Sequence, residues 1–295
     1  MSWDIINYTF SSCNKSVTIQ MTQKQYNLYQ ARAKRSFFKL TPMQKVLNLI
    51  EKATNTKELE NIAKKYDICD VCRVDKLHLQ GVKCLLSSIV KMLYKYPRLR
   101  ANTCFVGSHQ ELRKILMAFG MGNKELLKEF GLQFVLDPIS ARKIALINLD
   151  NVQDLIRHSD SFIATAVSAF GLFDSILIDQ EDYNPKKYAS LVSDILYSEQ
   201  SGFHPKNCGT PESIIFHELG HLIDYLCNIS SCAEFARLYR GYSALKVKRE
   251  LSEYATVSPQ EFLAEAFAEY ESSNTPREIA RQVGQLIQQK YNSYR

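Results

Sequence analysis

Apolar positions in the first third of the chain recur mostly at helical spacing. Val46, Leu47, Leu49 and Ile50 follow Thr41-Pro42, where the threonine reads as an N-cap and the proline as the first helical residue. Leu59, Ile62 and Ala63 repeat the pattern over residues 56–66, with Thr56 as cap and Glu58 and Glu60 in the first turn. Residues 85–96 form another amphipathic segment, ended by Pro97. Only residues 16–20 alternate in the way a short edge strand would. The first 100 residues thus read as a mostly helical region, with 98–102 as the connection into the rest of the chain.

Strand signals appear beyond that point. Residues 103–106 and 144–147 are strand candidates, and residues 111–119 a helix closed by Gly120. Residues 162–167 and 175–178 flank Phe170-Gly171-Leu172 in an expected hairpin, and residues 187–197 read as helix. Strands followed by helices, without regular βαβ alternation, predict an α+β fold divided into residues 1–100 and 101–295.

Composition narrows the class. Of 295 residues, 45% are hydrophobic and 23% charged, which excludes disordered, collagen-like and low-complexity chains. No stretch approaches the roughly 20 apolar residues of a bilayer span, so a soluble protein without membrane contact is expected. The first residues lack a basic segment followed by an apolar one, which predicts no secretory signal and synthesis in the cytoplasm. Eight scattered cysteines then read as free thiols. The Cys69-x-x-Cys72 pair with His78 and Cys84 is too widely spaced for a zinc knuckle.

Charge is uneven. Residues 1–100 hold 18 Lys+Arg against 7 Asp+Glu, whereas the remainder holds 19 against 24. A lysine-rich solvated surface accounts for this. A basic region that contacts nucleic acid or a capsid protein is the alternative, favoured by Phe37-Phe38 inside the densest basic run.

The chemistry concentrates further on. Thr210-Pro211-Glu212 is a strong helix start, and the helix it opens contains His217-Glu218-Leu219-Gly220-His221. Residues four apart stack on one helix face, so both imidazoles can converge on one metal ion with Glu218 beside them. Gly220 lets another element approach the helix backbone. A catalytic zinc needs a third protein ligand and an open position. Asp224, three residues after His221, is one candidate, either as ligand or as a hydrogen-bonding support. Glu261 is the other, on a helix capped by Ser258 and begun by Pro259, although Ser258-x-x-Glu261 is equally a capping-box pattern.

These segments resemble a family. His217-Glu218-Leu219-Gly220-His221-Leu222-Ile223-Asp224, then Tyr254, then Glu261-Phe262-Leu263-Ala264-Glu265-Ala266-Phe267 is similar to the zincin metallopeptidases that include anthrax lethal factor and the Pro-Pro endopeptidases. It also resembles the metallopeptidase-like domains of phage minor head and mobile-element proteins. The resemblance covers roughly residues 100–275 and is specific in two short motifs. It implies one Zn²⁺ held by His217, His221 and Glu261, with Glu218 as general base and Tyr254 steadying the oxyanion. Glu265 and Asp224 would lie behind the ligands. Gly202-Phe203-His204-Pro205 resembles the segment before the zinc helix, with Phe203 where a Trp is expected, and would offer an edge strand to the substrate. The resemblance further implies a zincin-like domain with a small mixed sheet, in a metalloprotease acting on a protein or peptide. Its setting would be a phage, a mobile element or an effector, virion-associated or delivered by a dedicated secretion system. The alternative is a zincin-like scaffold without catalysis, binding nucleic acid or a capsid partner through residues 1–100.

Overall fold

The computed structural model describes residues 5–12, 15–37, 41–121, 123, 125, 164–167 and 175–294. The strand expected at 144–147 and the Phe170-Gly171-Leu172 turn lie outside these residues, as does Phe38.

Strands β1 (Ile5–Ser12) and β2 (Lys15–Thr22) pair antiparallel, with Tyr8 opposite Ile19. The alternation at 16–20 is thus the middle of a longer strand. Helix α1 (Gln23–Ala33) comes next, and its Tyr26 and Tyr29 rings lie 5.3 and 5.2 Å from that of Tyr8.

Helices α2 (Met43–Lys52), α3 (Thr56–Lys65) and α4 (Leu79–Lys95) pack on one another through Val46, Ile50, Leu59, Ala63 and the apolar face of α4. The starts of α2 and α3 differ by one residue from the expected caps, and α4 begins at Leu79, six residues before the expected segment. Pro42 occupies the cap position of α2. Asn55 rather than Thr56 caps α3, because Asn55 is extended and its side-chain oxygen accepts the Glu58 N–H at 2.9 Å.

A four-stranded sheet joins β3 (Val71–Arg73), β4 (Phe105–Ser108), β5 (Ala164–Val167) and β6 (Ser175–Ile178) in the order β3-β4-β6-β5. β4 runs parallel to both β3 and β6, while β5 is antiparallel to β6, the pairing expected of the hairpin. Helix α5 (His109–Gly120) leaves directly from β4, capped by Ser108. β3 comes from the first 100 residues, so this sheet draws on both sides of residue 100, and one continuous apolar core does the same.

The remainder is helical: α6 (Tyr188–Gln200), α7 (Pro211–Cys227), α8 (Ala233–Arg240), α9 (Ala244–Glu250), α10 (Pro259–Ser272) and α11 (Glu278–Ser293). α4, α10, α11 and β5 surround α7, which explains why it is apolar on nearly every face. The described chain is mixed and mostly helical with small sheets, an α+β architecture.

Several basic side chains of the first 100 residues meet acids within this fold. Arg100, 1% exposed, is held by Asp67 and Asp70, and Arg35 joins the same two carboxylates. Lys91 and Lys95 pair with Glu212 and Glu271 of the C-terminal helices. Among the described residues, no helix is long and apolar enough to cross a membrane.

Candidate metal centre

Two capped helices build the centre. Thr210 Oγ1 accepts the Ser213 N–H at 3.3 Å and Pro211 opens α7. Ser258 Oγ accepts the Glu261 N–H at 3.1 Å and Pro259 opens α10. The helices touch at Gly220, where a Cβ would lie 3.1 Å from Phe267 Cδ1 and 3.2 Å from the Ala264 backbone. A Cβ at that position would crowd α10 by a few tenths of an ångström, and the glycine spares the helix that crowding on the face carrying His217 and His221.

The result is a converging set of donors. His217 Nε2 lies 3.0 Å and His221 Nε2 3.5 Å from Glu261 Oε2, and the two ring nitrogens are 3.2 Å apart. Among the described residues, His217, His221 and Glu261 form the group that could hold a metal ion, their ligand atoms lying within 4.8 Å of one another. Cys69, Cys72, His78 and Cys84 form no such group. The side chains of His217, His221 and Glu261 are 9%, 12% and 19% exposed, so the group is largely buried, with Glu261 its most exposed member.

Glu261 Oε2 is buried and in hydrogen-bond geometry with no partner, although two imidazole nitrogens stand beside it. An orphaned buried carboxylate oxygen is costly, and a shared cation relieves it. Two imidazoles and one carboxylate are also a borderline-soft donor set suited to a divalent transition ion. The residues fit a metal.

Electrostatics bind the group together. Burial alone would raise the Glu261 carboxyl, but His217 and His221 outweigh it and hold the group below the ordinary carboxylate range. Burial likewise disfavours charge on His217, yet Glu261 and Glu265 outweigh it and hold the imidazole protonated well above its usual range. A metal ion would take over the role of that proton.

Glu265, one turn after Glu261 and 1% exposed, stands behind the group. Its Oε1 is 2.8 Å from His217 Nδ1, its Oε2 accepts from Ser252 Oγ at 2.8 Å, and His204 Nδ1 lies 3.2 Å from both oxygens. Burial again opposes ionisation, but His204 and His217 hold the carboxyl below its normal range. Glu218 is buried on α7 beside His217, and its charge is felt at both His217 and Tyr254. The Tyr254 ring lies 5.9 Å from that of His217. Burial, reinforced by Glu261, Glu218 and Glu265, pushes its phenol well above the ordinary value and keeps the hydroxyl protonated.

Two placements differ from those expected, and Asp224 takes the supporting one of its two expected roles. Asp224 is not part of the ligand group: its Oδ1 accepts the Ser230 N–H at 2.6 Å, which fastens the turn after α7 where Asn228 takes a left-handed conformation. Residues 202–204 form a turn rather than an edge strand, with Gly202 at φ +78°. The Gly202 and Phe203 carbonyls are already used by the Glu253 and Tyr254 N–H groups at 2.9 and 3.1 Å. His204 reaches Glu265, while Phe203 remains 42% exposed with its ring 5.4 Å from Tyr254.

Ser252 carried no mark in the sequence. Neither did Arg277, which donates from Nε and Nη2 to the fully buried Glu269 and from Nη2 to the Leu251 carbonyl. Comparisons of the chain with protein-family models, curated proteins and solved structures give no match.

Proposed function

We propose that the chain is a zinc-dependent endopeptidase of the zincin type, with His217, His221 and Glu261 as the ligands of one Zn²⁺. The observation that carries this reading is the convergence of His217 Nε2 and His221 Nε2, 3.0 and 3.5 Å away, on the buried Glu261 Oε2, which has no hydrogen-bond partner. A purely structural cluster would satisfy that oxygen with an N–H or a hydroxyl. When bound, the ion supplies Lewis acidity that polarises a peptide carbonyl and acidifies water.

The protein's own groups divide the remaining work. Glu218 accepts the proton of the attacking water on its carboxylate and passes it to the departing amine, a role worth about 10²–10⁴-fold in rate. Tyr254 donates a hydrogen bond from its hydroxyl to the developing oxyanion, and its raised pKa keeps the proton on the phenol for that role. Glu265 holds the Nδ1 proton of His217, leaving Nε2 to face the metal.

The test uses the full chain and a mixed peptide library, with zinc content measured on the same preparation. Cleavage is expected to stop with a chelator and return when Zn²⁺ is restored. Glu218→Gln is expected to keep stoichiometric zinc and lose at least about 10²-fold in rate. A Glu218→Gln enzyme as fast as wild type would remove Glu218 from its role. A chain that takes up no zinc would end the reading altogether.

A further inference from the structure

Glu265 satisfies more partners than a simple support for His217 requires. A carboxylate only accepts hydrogen bonds, so His217 Nδ1, His204 Nδ1 and Ser252 Oγ must all donate to it. Ser252 Oγ is itself fixed, because it accepts the Ala255 N–H at 3.1 Å. Both donors come from segments that are also joined through their backbones, by the Glu253 N–H to Gly202 and the Tyr254 N–H to Phe203. Residues 202–204 and 252–254 therefore make a two-sided clip. Both sides hold the carboxylate behind His217, through His204 and Ser252, and the second also carries Tyr254. The His204 ring is further packed by Phe203 and Tyr254, with centroids 5.0 and 5.7 Å away.

We propose that His204 and Ser252 are positioning residues that act through Glu265, fixing its carboxylate so that His217 keeps its proton on Nδ1 and turns Nε2 to the metal. This inference rests on the reading of His217, His221 and Glu261 as metal ligands. It moves His204 out of the substrate-binding role implied by the sequence, since its Nδ1 is engaged 3.2 Å from both Glu265 oxygens and its side chain is 16% exposed. Losing a donor frees the carboxylate to rotate and loosens the ring it holds. Outer partners of this kind typically change metal affinity by about 10–100-fold.

The experiment measures the Zn²⁺ dissociation constant of the full chain by competition with a chromophoric chelator, and the absorption spectrum of the Co²⁺ form. His204→Asn places an amide N–H near the position of Nδ1, whereas His204→Leu has a similar branched shape and no donor. The asparagine variant is expected to bind as wild type does, with the same Co²⁺ spectrum. The leucine variant is expected to bind about 10–100-fold more weakly, with an altered spectrum. Equal affinities for the two variants would overturn the proposal. If either variant lacks the wild-type circular dichroism, Ser252→Ala carries the comparison: weakened Zn²⁺ binding supports the proposal, and undiminished binding overturns it. A wild-type chain that binds no Zn²⁺ instead refutes the metal reading on which the proposal stands.

Discussion

The backbone N–H of Glu261 donates to Ser258 Oγ, which is half of a capping box, while its carboxylate turns toward His217 and His221 instead of returning to Ser258. The two sequence readings of this residue are therefore compatible, one satisfied by its main chain and the other by its side chain. Glu261→Gln removes the charge between the imidazoles and is expected to lower zinc content sharply. Asp224→Ala should leave zinc content near wild type and instead destabilise the fold by about 1–3 kcal/mol, because the Ser230 N–H loses its acceptor. Metal analysis together with urea denaturation separates the two, and the opposite ranking would return Asp224 to the ligand set. His217 and His221 were legible because a spacing of four has one geometric meaning on a helix. The pairing of Glu265 with His204 and Ser252 was not, since His204 lies 61 residues away and a tertiary hydrogen bond leaves no periodic trace.

Among the elements, α7 and α10 announced themselves through Thr210-Pro211 and Ser258-Pro259, which act locally and can be read locally. Helices α8 and α9 did not. They span 8 and 7 residues, and α8 is capped by Cys232, whose Sγ accepts the Phe235 N–H although cysteine is no customary cap. The one-residue shifts at Pro42 and Asn55 have a similar origin, because neighbouring residues could each serve as cap. Beyond α10, Arg277 ties the start of α11 to Glu269 and to the Leu251 carbonyl, just before Ser252. Arg277→Ala removes the counter-charge of a buried carboxylate, leaving it the backbone N–H of residue 277, and is expected to cost about 3–5 kcal/mol. The urea midpoint should fall with an unchanged slope, and a loss below about 0.5 kcal/mol would mean that Glu269 finds another partner.

At the scale of the whole molecule, metal and proton compete for His217. In the metal-free protein, burial opposes charge on His217, but Glu261 and Glu265 raise its pKa well above the ordinary 6.5. A folded-state value above the unfolded one contributes stability that is complete below pH 6.5 and is lost as pH rises through the folded value. Zinc requires the unprotonated imidazole, so its affinity should climb over that same interval. The thermal midpoint of the chelated protein is therefore expected to fall with pH above 6.5, while the gain on adding Zn²⁺ grows. At a free concentration of roughly 100 times the dissociation constant that gain is about 2.7 kcal/mol. A zinc increment that shrinks with rising pH would contradict the assignment. The architecture was legible only in outline. Alternating and helical periods indicated α+β, but the order β3-β4-β6-β5 depends on pairings between distant segments.

Glu265 and Glu269 sit one helical turn apart on α10, both sealed from water and each neutralised by a different part of the chain. Together they index the helix like two pins in a ratchet. Slipping by a single residue would rotate α10 by about 100° and advance it about 1.5 Å. Both anions would then be stranded in hydrocarbon. Glu261, one turn earlier on the same rod, inherits that setting, so its carboxylate is held against the two imidazoles by the helix itself, and an ion entering there would find little left to order.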